Sequence, residues 1–452
     1  MPRLPEMPAR LARRLPRLRH LPLYLLVFCI AAGATHAGAT LWFRPEARLW
    51  LSPDFWREWL RVGEVMRRAA AHYYEPADAV PARLAQGALT GAAARLDKYS
   101  AYLPPERLEE MNDRSEQTYT GLGFGWETLD HAPVVVRVFK GGGAAEAGLR
   151  PGDALLSVDG VALDAFDREG IQRAMRGEAG TSALLRVRRD GEPAPLELRV
   201  KRRRVRTQTV TDARVLAGGT GYLRVTNFEN HTAEEVGEAL DAFAKEGAGA
   251  VVLDLRGNPG GVISTAVRVV GLFCPKGTVV TTSRGRHSEN ERRYATDGDP
   301  RAPELPLAVL VDGESASAAE LVSGALQDLR RAVVVGERTY GKGVVQTIFP
   351  LSGKDALRLT TARYFLPGGR CVQGTGVTPD IAQPLDARSR GLLALARAWR
   401  EAGRADAAFA RCYGVAPPPD PQLAAALDVL ALLRRNRRVA GTAIFDASRT
   451  TR

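Results

Sequence analysis

"LAVLVDGESASAAELVSGALQDLRRAVVVGERTYGKGVVQ", residues 307 to 346, carries the decisive pattern. The apolar run from Leu307 to Val311 reads as a buried strand, ending in a turn at Gly313. Ser315 and Ser317 then stand at the start of a helix, "AELVSGALQDL", followed by a second apolar strand, "RAVVVGE", and by Lys342 between Gly341 and Gly343. Strand, helix and strand in this order predict a layered α/β core. A serine at a helix N-terminus lies near unpaired N–H groups and the positive end of the dipole, which favour negative charge on its oxygen and on a bound carbonyl. The same position suits a helix cap without chemistry, so Ser315 and Ser317 are both candidates for either role. Lys342 shifts the balance. Its flanking glycines clear room for the side chain, and a desolvated, neutral lysine can take a serine's proton, the task a histidine performs in other hydrolases. None of the six histidines, at 20, 36, 72, 131, 231 and 287, lies in a recognisable catalytic context.

Upstream, "VVLDLRGNPGGVI", residues 251 to 263, reads as a strand, a glycine-rich turn and a helix. Gly260 and Gly261 can present backbone N–H groups as an oxyanion hole. The turn lacks both the GKS or GKT ending of a P-loop and dinucleotide-type glycine spacing, which argues against phosphate binding. "TGYLRVTNF" and "AEEVGEALDAFAKEG" extend the strand and helix alternation, after an expected polar connection near 206 to 217. Between 118 and 204 the texture changes to short β-prone runs and glycine turns. There "YTGLGFGWE" and "AGLRPGDALLSVDG" resemble a PDZ domain. That likeness implies that the loop Gly121, Leu122, Gly123 and Phe124 receives a terminal carboxylate, and that the neighbouring strand edge pairs with an extended peptide.

The 452 residues exceed one ordinary core, and the formal charge is +12. No zinc-finger, RRM or helix-turn-helix signature accompanies the basic runs, so no nucleic-acid partner is expected. Residues 1 to 20 hold six arginines and precede "LPLYLLVFCIAAGATHAGATLWF", residues 21 to 43, long and apolar enough to cross a bilayer. We read this as a basic cytoplasmic region and a signal anchor, with the rest extracytoplasmic, either periplasmic or at the cell surface; small residues at Ala37 and Ala39 also offer cleavage sites that would release a secreted form. Cys29 falls in the apolar segment, and Cys274, Cys371 and Cys412 are too few and too scattered for a disulfide framework or a zinc site. Residues 53 to 116 read as helical and expected to cover a neighbour, and helical spacing returns from 385, broken by "APPPDPQ".

Taken in order, "HYYEP", "ALTGAAARLDKYSAYL", the PDZ region, "VVLDLRGNPGG", "SASAAELVSGALQD", "AVVVGERTYGKGVVQTIFPL" and "GTGVTPDI" resemble the C-terminal processing peptidases, also called tail-specific proteases, from about 60 to 385. The resemblance implies a crotonase- or ClpP-like layered α/β core with an inserted PDZ domain and helical terminal segments. It also implies Ser317 as nucleophile, Lys342 as general base, Gln346 as the residue that orients it, and an oxyanion hole from Gly260 or Gly261 together with Ala318. No cofactor or metal is implied, substrates are proteins or peptides with free C-termini, and self-association is left open. The expected division is 1–20, 21–43, a helical region 50–117, the PDZ domain 118–204, the peptidase core 205–384 and a helical extension 385–452. Ala319, Lys98 and Cys371 depart from the family pattern, where serine, proline and serine are common. A non-catalytic binding relative and a crotonase-type acyl-CoA enzyme are the competing readings; the second would need neither an export segment nor a PDZ loop.

Overall fold

The computed structural model describes residues 52–115, 118–163, 168–286 and 291–440. The basic start, the apolar segment 21–43 with Cys29, and the final dozen residues lie outside them. Among the described residues no helix is long and apolar enough to cross a membrane. The chain divides into two compact units, residues 1–96 and 97–452. In the first, α1 (Pro53–His72) and α2 (Pro81–Ala94) form a helical pair. α1 begins where the Ser52 hydroxyl accepts from the Phe55 N–H, with Pro53 preset for the first turn. No residue of α1 is buried, so the expected covering role is not met within its own unit.

The second unit opens with β1 (Ala101–Leu103) and α3 (Pro105–Ser115). β1 corrects the expectation of unbroken helix to 116. The PDZ region follows as β2 (Thr118–Gly121), β3 (Phe124–Leu129), β4 (Ala132–Val138), α4 (Gly143–Glu146), β5 (Ala154–Val158), β6 (Val161–Ala162), α5 (Arg168–Met175), β7 (Ser182–Arg188), β8 (Leu196–Lys201) and β9 (Arg203–Arg206). The sheet runs β3-β4-β5-β7-β8, with β6 on β5, and β2 pairs with β9. Alternation is clean in β7, where Ala183, Leu185 and Val187 enter the small core beside Leu122, Phe124 and Ile171.

The core adds β10 (Val210–Leu216), β11 (Thr220–Val225), α6 (Thr232–Lys245), β12 (Val251–Asp254), α7 (Ile263–Gly271), β13 (Val279–Gly285), β14 (Arg292–Ala295), β15 (Leu307–Val311), α8 (Ala318–Asp328), β16 (Val333–Gly336), β17 (Val344–Pro350), β18 (Ala356–Phe365) and β19 (Ile381–Ala382). One sheet runs β10-β11-β12-β15-β16-β19, parallel except for β10, so the expected polar connection is instead an edge strand. Helices α6, α7 and α8 cover one face through Val251, Leu253, Val309 and Val311. The other face, Val252, Ala308 and Leu310, is covered by Ala426 and Leu430 of α11 (Pro421–Ala440). Two-sided burial explains the uninterrupted apolar runs, each buried aliphatic side chain contributing about 1.5–3 kcal/mol.

A second, antiparallel sheet runs β1-β18-β13-β14 with β17 on β18. It carries Asp97–Ser100, which precede β1, onto the hairpin that follows Lys342. The C-terminal extension also divides. Before α11, α9 (Ala387–Glu401) and α10 (Asp406–Tyr413) pack Trp399 and Phe409 on Leu129, Val134 and Val136 of the PDZ sheet. An ion pair, Arg137 to Glu401 at 2.9 Å, reinforces that seam.

Candidate active site

The two candidate serines are separated by what their hydroxyls touch. Ser315 is buried; its Oγ donates to the Leu255 carbonyl at 2.8 Å and accepts from the Asp312 N–H at 3.0 Å. Its hydroxyl is consumed in tying β15 to the end of β12. Ser317 is half-buried and adopts φ 54, ψ −113, a conformation that L-residues rarely hold without cost. Neighbouring bonds enforce it: Ala316 N–H donates to the Asn258 carbonyl and Tyr340 N–H to the Ser315 carbonyl. The serine thus sits on a strained elbow between strand β15 and helix α8, as the N-cap residue of a capping box with Glu320.

Gly260 abuts this elbow. At φ 99, a Cβ added there would lie 2.7 Å from Ser317 Cβ and 2.8 Å from the Ala318 nitrogen, so only glycine fits. The Gly260 N–H, however, donates to Asn258 Oδ1 at 2.8 Å. Among the described residues the N–H groups of Gly261 and Ala318 have no such partner.

Glu320, which sequence reading passed over as a helix residue, organises the rest. It is fully buried in the first turn of α8. Oε2 accepts from the Ser317 N–H at 2.8 Å and the Lys342 N–H at 2.7 Å; Oε1 accepts from the Gly341 N–H at 2.7 Å and the Thr339 hydroxyl at 2.5 Å. One carboxylate therefore pins the backbones of the serine and the lysine. A serine followed three positions later by glutamate at a helix start was the signal available in the sequence.

Lys342 is half-buried, and burial first, then the Arg358 guanidinium and the Lys98 ammonium, hold its amine below the usual lysine range, against the opposing pull of Tyr340 and Glu320. Gly341 needs its φ of 90, and Gly343 lies so close to Gln373 that a Cβ would meet its nitrogen at 2.6 Å. The ammonium stands 5.1 Å from the Tyr99 ring centroid, and no hydrogen bond joins it to Ser317 Oγ among the described residues. Gln346, near the start of β17, donates to the Tyr99 carbonyl at 2.6 Å, not to Lys342.

Residues 219–383 match Peptidase family S41 and residues 134–189 match the PDZ domain. The carboxy-terminal-processing protease of Bartonella bacilliformis is 35% identical over 342 residues, covering 74% of this chain and 78% of that protein. The chain belongs to peptidase family S41. The carboxy-terminal processing protease CtpB of Bacillus subtilis is 30% identical over 303 residues, 66% of this chain and 63% of that protein. A solved structure described as an S41 protease from Bacteroides fragilis shares the fold at 17% identity with a TM-score of 0.50, covering 78% of this chain and 98% of that one. This S41 peptidase is accordingly a C-terminal processing type of serine peptidase with a PDZ domain.

The PDZ loop of this S41 member lies before the matched stretch. Leu122 and Phe124 are buried in the PDZ core, and Gly123, at φ 93, packs against Gly142 so closely that a Cβ would meet its Cα at 2.8 Å. Carbonyls of Leu122 and Gly123 accept from Ala144 and Phe139 N–H groups. β3, which follows the loop, pairs with β4 at the end of the strand order of its sheet among the described residues, and Gly121 closes β2 before the loop. No hydrogen bond joins these four residues to the Ser317 elbow among the described residues.

Proposed function

We propose that this chain is a membrane-anchored, extracytoplasmic endopeptidase in which Ser317 attacks the scissile carbonyl and Lys342 is the base. The observation that carries the reading is the strained Ser317 elbow tied through Glu320 to the backbone of Lys342. As the Oγ–C bond forms, the hydroxyl proton passes to the neutral Lys342 amine. The amine then gives it to the departing amide nitrogen, and water releases the acyl group by the same route in reverse. Gly261 and Ala318 N–H groups stabilise the oxyanion. The lysine side chain must close on Ser317 Oγ, a movement its four-carbon stem permits while Glu320 keeps its backbone fixed. Gln346 orients the amine once it does so, after exchanging its bond to the Tyr99 carbonyl.

Recognition in this reading belongs to the PDZ domain, whose loop at residues 121–124 takes the free carboxylate of a protein tail while the β3 edge pairs with the preceding residues. Arginines before the apolar segment 21–43 keep its N-terminal side in the cytoplasm. The test uses the full chain in detergent with an unfolded reporter ending in a free acid or an amide. The free-acid reporter should be cleaved, the amidated one several-fold more slowly, and Ser317→Ala should lose at least about a thousandfold. Cleavage that survives Ser317→Ala would remove the serine from its role. Binding of the tail without any cleavage would favour the non-catalytic reading.

A further inference from the structure

The loop that carries Tyr99 brings a second lysine to the site. Lys98 Nζ lies 5.0 Å from the centroid of the Tyr99 ring that Lys342 Nζ approaches at 5.1 Å, so the two ammoniums are at most about 10 Å apart, within a Debye length. Lys98 also donates to the Tyr340 hydroxyl at 2.9 Å and lies 4.8 Å from that ring's centroid. The loop itself is fixed, since Asp97 Oδ1 accepts the N–H groups of Tyr99 and Ser100 at 2.7 Å each and β1 then joins β18.

An exposed lysine normally explores many rotamers in water, at no gain from being held. Here it is directed by two aromatic faces and a phenol towards the site. Among the described residues no ion pair neutralises Lys98, Lys342 or Arg358. The charged and titratable groups facing Lys342 are Arg358 from β18 and Lys98 from the loop, which oppose its protonation, Glu320 from α8 with Tyr340, which favour it, and the Tyr99 phenol, whose ring both lysines approach.

We propose that Lys98 is a positioning residue for the reaction, an ammonium held on the Tyr99 ring beside Lys342 that adds to burial and Arg358 in favouring the neutral, proton-accepting form of Lys342. The inference rests on the assignment of Lys342 as base. It adds a second cation to the machinery through electrostatics alone, without contact with the reacting atoms.

Competitive labelling of the full chain with trace acetic anhydride, from about pH 6 to about pH 11, reads the ionisation of Lys342 by mass spectrometry of its peptide, independently of cleavage. On the rising part of the curve, Lys98→Met should lower Lys342 labelling by about two- to fivefold, Lys98→Glu by more, and Lys98→Arg should match the wild type. Cleavage rates should follow the same order on the rising limb and converge at the high-pH plateau. Unchanged labelling, an equal loss at every pH, or an arginine variant that behaves like methionine would overturn the proposal. Labelling that shifts as expected in a chain that cleaves nothing would support the coupling and overturn the peptidase reading.

Discussion

Two carboxylates are fully buried in the core, Asp254 at the end of β12 and Glu320 at the start of α8, and opposite means stabilise them. Asp254 is met by charge. Arg256 donates to it at 2.6 Å, with Tyr222 adding a hydroxyl bond at 2.7 Å. Burial pushes its carboxyl up, but the Arg256 charge and hydrogen bonds outweigh that and hold it well below the usual range. Arg256 continues to Asp420 at 2.8 Å and Gln422 at 3.0 Å, so the pair also anchors the start of α11. Glu320 is met by neutral donors only, three backbone N–H groups and one hydroxyl. The difference separates a structural centre from a chemical one. A paired charge has little field left to act on its surroundings, whereas Glu320 fixes the serine and lysine backbones while its negative charge still reaches the Lys342 amine.

Removing one partner should break the structural centre hardest. Arg256→Met leaves Asp254 buried without its counter-charge and should cost about 3–5 kcal/mol, read from the urea midpoint of the full chain. A loss confined to cleavage, with unfolding unchanged, would mean that Arg256 serves the site and not the fold. Asp254 itself sharpens the point. Its carboxyl is depressed in the folded state, so the stability it contributes is present above the unfolded carboxyl range and should be lost as pH falls through the folded one.

Glu320→Gln should spare the fold by comparison and lower cleavage by about tenfold to a hundredfold, because the amide can accept at one atom but turns its NH2 group either towards the Ser317 and Lys342 N–H groups or towards the Gly341 N–H and the Thr339 hydroxyl. Thermal melting and initial rates on the same preparation distinguish the two centres; equal damage to both would erase the distinction. The smallest effect lies in the pH profile. Since only the neutral amine accepts the proton, wild-type cleavage should rise with pH through the lowered Lys342 range and level off above it. Glu320 favours the ammonium, so the residual activity of Glu320→Gln should begin its rise at lower pH. A rise displaced to higher pH would show that backbone rearrangement, not charge, dominates at Lys342.

The sequence by itself determined whatever local pattern and composition encode. Apolar runs at Val251–Asp254 and Leu307–Val311 announced buried strands, the helix after Ser317 was plain, and the ordered motifs indicated the peptidase and its PDZ domain. Tertiary structure alone showed how the two serines differ, because the Ser315 hydroxyl is consumed by the carbonyl of Leu255, sixty positions away. It set which N–H groups of the glycine turn are taken, because Asn258 Oδ1 accepts from the Gly260 N–H. It also produced the second sheet, whose strands β17 and β18 show no regular alternation of burial for a sequence pattern to betray. Finally, it placed Lys98 and Tyr99 beside Lys342 and Gln346 from more than two hundred residues away. Periodicity reports how each segment meets an apolar layer or water, while hydrogen-bond partners and neighbouring charges are set by where distant segments come to rest.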